Sequence, residues 1–447
     1  MPAAPELLLP AGSVAKMHKA YDFGADAVYA GQPRYSLRAR NNDFSSLQML
    51  EQGITEAHAR GKLFYVASNI YAHNAKLKTY MADMEPVIAM KPDALIMADP
   101  GLIMMVRDKW PDIPIHLSVQ ANAINWADVK FWQRIGLTRI ILSRELSLDE
   151  VEEIRQQCPD MELEVFVHGA LCVAYSGRCL LSGYFNHRDS NQGTCTNSCR
   201  WNYTVHNAEE NEEGDVLPVF MAQIMDEAST SFPALGEGPR HPLADRVYLI
   251  EEGKRAGQLM PVIEDEHGTY ILNSKDLRAV EHIERLVRIG VNSLKIEGRT
   301  KSIYYVARTA QVYRKAIDDA VAGRPFDTSL FGALQGLANR GYTDGFYKRH
   351  HTQEYQNYLT GASELHNSHY VGDVENVENG WATVTVKNRF SIGDKIEVLH
   401  PGGNALVTLE KMTDVEGAPL TVAPGSGHIV KIPLEPQWDK ALLARLL

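Results

Sequence analysis

The chain has 447 residues, 45% of them hydrophobic and 23% charged, with a net charge of −11. This is the composition of an ordinary globular protein, and the acidic balance excludes one that coats nucleic acid by bulk positive potential. Met1 to Glu6 lacks the basic and apolar regions of a signal peptide, and no run of about 18 apolar residues exists. The sequence therefore predicts no membrane span and a cytoplasmic, reducing setting.

In chain order, the first apolar run is Glu6 to Leu9. Ser13 then stands where a helix N-cap would, and Gly24 where that helix would stop. Further runs follow at 27–30, 63–66, 94–97, 115–119, 139–142 and 163–167, and the last at 293–296. Ser147 and Glu150 form a capping-box pattern ahead of one intervening helix. Nearly continuous apolar strands alternating with helices imply a parallel sheet covered on both faces, and eight units point to a TIM-like (β/α)8 barrel in an α/β chain. An open doubly wound sheet is the alternative, but no G-x-G-x-x-G fingerprint supports it. The barrel is expected over residues 1–330.

Functional groups in such a barrel project from the C-terminal ends of the strands. Those ends read Gly12, Gly31, Asn69, Asp99, Gln120 with Asn122, Arg144 with Glu145, His168, and Glu297 to Arg299. They describe a mouth rich in hydrogen-bonding groups. Local basic clusters also stand out at Arg34, Arg38 and Arg40, at Arg299 and Lys301, and at Lys348 to His351.

Beyond Cys199 the rhythm breaks. Residues 205–262 are acidic and irregular, which suggests an insertion between strands seven and eight: a lid, a small β subdomain or a partner surface. A helix with one apolar face runs from Ile303 to Ala320 and ends by Gly323 and Pro325. Residues 331–365 read as a linker. From 366 to 447 alternating patterns with Asn379-Gly380 and further turn signals predict a small all-β barrel domain.

Four of the five cysteines, Cys172, Cys179, Cys195 and Cys199, share one stretch that follows strand seven. Thiols gathered this way in a Cys-poor chain read as metal ligands. The C-x6-C-x15-C-x3-C spacing fits an iron–sulfur cluster better than a zinc ribbon, without excluding zinc. Cys158, outside the set, reads as a half-buried free thiol. Neither H-E-x-x-H nor G-x-S-x-G appears.

The segments Glu164 to Cys172 and Gly177 to Ser182 resemble the signature of the collagenase-like peptidase family U32. Glu6 to Gly12, Gly24 to Gly31 and His116 to Asn122 are similar to that family as well. Within it, Tyr35 to Asn42, Glu266 to Leu277 and Lys295 to Ser302 resemble members that hydroxylate tRNA. The resemblance implies a [4Fe–4S] cluster on the four cysteines. It also implies oxygen-independent, prephenate-dependent hydroxylation of the wobble uridine to 5-hydroxyuridine. On that reading Arg144 and Arg299 would clamp carboxylates, His168 and Glu297 would handle protons, and Asn69, Gln120 and Asn122 would bind substrate. The β domain and Lys348 to His350 would hold the tRNA backbone. The expected partners are tRNA and the iron–sulfur assembly machinery, with a homo-oligomer allowed. Two other readings are a protease, with Cys172 beside His168, and a non-catalytic RNA-binding scaffold.

Overall fold

The computed structural model describes residues 3–37, 44–171, 276–337, 342–348 and 368–446, together with the backbone of short strands between 203 and 269. Eight strands form the centre: β1 (Glu6–Pro10), β2 (Ala27–Gly31), β3 (Leu63–Ser68), β4 (Ala94–Met97), β5 (Ile115–Leu117), β6 (Arg139–Ile141), β7 (Glu162–Ala170) and β8 (Ser293–Ile296). Each pairs in parallel with the next, and β8 pairs with both β7 and β1. The sheet is closed, and the TIM-like barrel stands. All eight apolar runs became its strands because a strand buried on both faces must be apolar along its length.

Helices cover the outside: α1 (Val14–Asp22), α2 (Leu47–Ala59), α3 (Asn74–Ala89), α4 (Pro100–Lys109), α5 (Trp126–Arg134), α6 (Leu148–Gln157), α7 (Ile283–Ile289) and α8 (Ile303–Val321). Their starts follow the expected chemistry. The Ser13 hydroxyl accepts from the Lys16 amide, and Ser147 and Glu150 close a full capping box. The run at 115–119 is shorter as a strand than its composition suggests. It ends at Leu117, and a 3-10 turn over Val119–Ala121 follows, because the Ser118 side chain accepts from the Gln120 amide.

Between β7 and α7 the backbone forms a small antiparallel sheet from Tyr203–Glu210, Val216–Pro218, Tyr248–Glu252 and Leu259–Val262. The expected insertion thus has β structure. The chain returns as Asp276–Arg278, antiparallel to the end of β7.

In the stretch expected as a linker, the described residues 331–337 and 342–348 pack against the barrel. Tyr342–Thr343 extends the barrel sheet beside Asp276–Arg278, and the Tyr347 hydroxyl donates to the Phe166 carbonyl. Tyr347 is buried there, which a run of turn-forming residues conceals.

Residues 368–446 form a six-stranded antiparallel sheet with its own core around Val384, Phe390 and Val398. This domain docks on α1 and α8. Tyr304 stacks on Tyr370 at 5.5 Å, Arg308 pairs with Glu397, and Leu399 and Leu442 join the apolar core of the barrel.

Candidate active site at the barrel mouth

A cavity of about 110 Å³ opens at the C-terminal end of the barrel. Its walls carry Asn69, Gln120, Arg144, Glu297 and Arg299 from four different strand ends, and its floor carries Tyr29, Phe166 and Lys295. Two glycines let the loop after β8 approach so closely. A Cβ at Gly12 would lie 2.2 Å from the Arg299 carbonyl oxygen. At Gly169, which has φ +106°, it would lie 2.4 Å from that of Glu297.

The electrostatics are those of a cationic pocket with one carboxylate. The Arg144 guanidinium lies 3.6 Å from the centroid of Phe166, and its Nη2 is 3.8 Å from Glu297 Oε2. The single proton of the Tyr29 hydroxyl is shared between two acceptors, the Ile296 carbonyl at 3.1 Å and Glu297 Oε2 at 3.3 Å. Burial holds the Tyr29 hydroxyl well above its ordinary pKa, with Glu297 adding to the effect, so it remains a donor at neutral pH. Asn69 Oδ1 accepts from the Leu37 amide at 3.3 Å and its Nδ2 donates to Ser118 at 3.3 Å, which orients its amide at the rim.

Beneath the floor the barrel interior is charged. Lys295 Nζ donates to Glu164 Oε1 at 2.7 Å. Arg139 reaches Glu6 at 2.7 Å, Glu162 at 2.8 Å and Glu164 at 3.3 Å. Tyr65 and Ser293 add hydroxyl donors to Glu6 at 2.6 and 2.9 Å. Side chains from β1, β3, β6, β7 and β8 meet this way only inside a closed barrel. Burial pushes the Lys295 ammonium below its ordinary pKa, and Glu164 pulls it back up.

The structure therefore gathers Asn69, Gln120, Arg144, Glu297 and Arg299, but not two other expected residues. Asn122 sits behind the wall in a left-handed conformation (φ 56°), where its Oδ1 accepts from the Ser143 hydroxyl at 2.9 Å. It shapes the turn after Gln120 and does not line the cavity. His168 does not line it either. Its ring packs 5.5 to 5.7 Å from Tyr305, Tyr313 and Tyr342, with Nδ1 3.3 Å from the Tyr313 hydroxyl. A register shift between β7 and β8 pairs Lys295 with Phe166 but Ile296 with His168. The extra residue turns His168 from the inner face of β7 toward α8.

Burial first, then the nearby Lys301 and Arg278, push the His168 pKa down to about 3. Its folded value lies below its unfolded one, so its contribution to stability is complete above the ordinary histidine range. That contribution is lost as pH falls below about 6.5, the unfolded protein then binding the extra proton. We expect His168 alone to cost about 2 kcal/mol of stability at pH 5 relative to pH 7. Urea denaturation across this range should show a shallower pH slope for His168→Phe; an unchanged slope would place the proton elsewhere.

Residues missed in the sequence are Lys295, Glu164, Arg139 and Tyr29. They lie within runs that count as apolar; for Glu164 and Lys295 the available signal was charge at alternate positions, Glu162 with Glu164 and Lys295 with Glu297. Cys172, Cys179, Cys195 and Cys199 lie outside the described residues, as do Arg38, Arg40, Arg349, His350 and His351. Ala170, two positions before Cys172 in the chain, lines the cavity. Four thiols are the donor set of an iron–sulfur cluster, so the residue types fit that group. Cys158 is buried, and its Sγ lies 3.6 Å from the Trp126 carbonyl. Among the other basic residues, Arg34 pairs with Asp83 at 2.6 Å, Lys301 with Asp276 at 3.8 Å, and Lys348 with Glu281 and Asp344 at 3.3 and 3.5 Å. The C-terminal region from 366 carries seven Lys and Arg against ten Asp and Glu, a poor surface for holding RNA by charge alone. Among the described residues, no helix is long and apolar enough to cross a membrane.

Comparison with known proteins places these features in context. The model of peptidase family U32 matches residues 12–357, and that of the family's C-terminal domain matches residues 366–445. The chain is 59% identical to tRNA hydroxylation protein P of Escherichia coli over 444 residues, covering 99% of this chain and 96% of the relative. It is 57% identical to the protein of the same name from Haemophilus influenzae, with the same coverage of both chains. A 23S rRNA 5-hydroxycytidine synthase of Escherichia coli is 29% identical over 402 residues, covering 88% of this chain and 52% of the relative.

Proposed function

The chain belongs to peptidase family U32, and from that membership we propose that it is a tRNA hydroxylase that forms 5-hydroxyuridine at the wobble position. The observation that carries this reading is the 59% identity, along nearly the whole length of both chains, to a protein named for tRNA hydroxylation. The hydroxylated pyrimidine in the name of the more distant rRNA relative is consistent with pyrimidine C5 as the common target.

We read the reaction as prephenate-dependent and oxygen-independent. Cys172, Cys179, Cys195 and Cys199 would hold a [4Fe–4S] cluster delivered by the assembly machinery of the cytoplasm. Such a cluster would supply electron transfer. The protein's own groups supply the rest. Arg144 and Arg299 attract carboxylates, and the Arg144 guanidinium lies over the Phe166 ring. Glu297, on the donor hydroxyl of Tyr29, is the group placed to move a proton in the cavity. Asn69 and Gln120 present amide groups suited to the edge of a uracil turned out of its stack.

The protease reading has less support. The cavity lining, among the described residues, contains no histidine to activate a nucleophile. His168, the candidate in sequence, is enclosed by tyrosines.

The test is mass spectrometry of nucleosides from tRNA of cells lacking the gene. Wobble 5-hydroxyuridine should be lost, return with the wild-type gene, persist without oxygen and fall when prephenate synthesis is blocked. An unchanged 5-hydroxyuridine level in the deletion strain would refute the assignment.

A further inference from the structure

The Lys295 and Glu164 pair is an unusual object to build into a barrel floor. Both side chains are buried, and a buried ion pair seldom adds net stability over apolar residues of the same volume. An ammonium has three donors, and the hydrogen bond to Glu164 occupies one. The Lys295 Nζ also lies 4.5 Å from the centroid of Tyr29 and 5.5 Å from that of Phe166, and the side chain lines the cavity. Arg144 covers the same Phe166 ring from the wall. Floor and wall thus each present a cation held by an aromatic ring, and the floor cation is fixed by a carboxylate on its far side.

We propose that Lys295, positioned by Glu164, is the anchor for a carboxylate of the small-molecule cosubstrate, with Arg144 as the second cation. The occupant is a small organic carboxylate and not an RNA phosphate. The floor lies within the ring of strands, between aromatic side chains, in a cavity of about 110 Å³. A phosphodiester would have to bring two riboses into that space. The ligand's ring or chain would rest on Tyr29 and Phe166, leaving the rim groups for the base. This anchor rests on the reading that the hydroxylase uses a small carboxylate cosubstrate, and it is testable apart from that reaction.

The experiment is calorimetric titration of prephenate and phenylpyruvate into the full-length protein purified anaerobically, with tRNA affinity measured in parallel. Three variants are compared with wild type: Lys295→Met, Lys295→Arg, and Lys295→Met combined with Glu164→Gln. The double variant removes both charges and leaves no stranded carboxylate, so it keeps the test valid if the single variant fails to fold. Loss of a charge-assisted hydrogen bond should weaken carboxylate binding about 10- to 100-fold in both methionine variants. Lys295→Arg should retain part of the affinity, and tRNA affinity should be unchanged in all three. Wild-type carboxylate affinity in the folded double variant would overturn the anchor. So would absence of carboxylate binding to wild type, or a parallel fall in tRNA affinity. Lys295-dependent carboxylate binding by a protein that makes no 5-hydroxyuridine would refute the hydroxylase reading and leave the anchor standing.

Discussion

Arg139→Met is expected to destabilise the barrel by about 3–5 kcal/mol, seen as a lower urea midpoint for the barrel transition. Arg139 is the hub of the charged interior, in contact with Glu6, Glu162 and Glu164. Its removal does not leave these groups equal. Glu162 is half exposed and turns to water, whereas Glu164 is fully buried and keeps Lys295. Glu6 keeps the hydroxyls of Tyr65 and Ser293 but loses its counter-charge. The cost is therefore mainly that of a buried carboxylate without a cation. Adding Glu6→Gln should recover part of the loss, because a neutral amide accepts the same hydroxyl bonds without a charge to compensate. A single variant within 1 kcal/mol of wild type would show that the interior pairs contribute little to folding.

Cys172→Ala is expected to reduce wobble 5-hydroxyuridine to the level of the deletion strain. On the proposed reading the four thiols are one donor set, and removing a ligand would remove or displace the cluster as a whole. Iron and sulfide content should fall with activity, while the circular dichroism of the barrel should persist, its eight strands owing their burial to one another. Cys158→Ala is the control. That thiol is buried beside the Trp126 carbonyl at the end of α6, and burial raises its pKa, so it is an inert packing group. Its loss should leave hydroxylation intact at a modest cost in stability. Full modification of tRNA by the Cys172→Ala protein would sink the cluster-dependent reaction.

The amino-acid sequence made the eight strands and their alternation with helices legible, but it left an open doubly wound sheet as the alternative to the closed barrel. Each strand was a short apolar run, most of them bounded by helix-capping or turn-forming residues, and such runs depend only on neighbours along the chain. It also determined which strand ends would be polar, so five of the seven expected catalytic and substrate-binding residues meet at one cavity. Which way the other two face was set by packing across the barrel. His168 follows Glu164 and Phe166 at the alternate spacing that should point it inward, yet one extra residue in β7 turns it to the tyrosines of α8 and its neighbours. Lys295, Glu164 and Arg139 look like charged interruptions of apolar strands until the barrel closes. Closure brings Glu6 beside Arg139, 133 positions away, and Lys295 beside Glu164, 131 positions away. Strand identity is local, but side-chain partnership across a barrel depends on register summed around the ring, and a single bulge changes it.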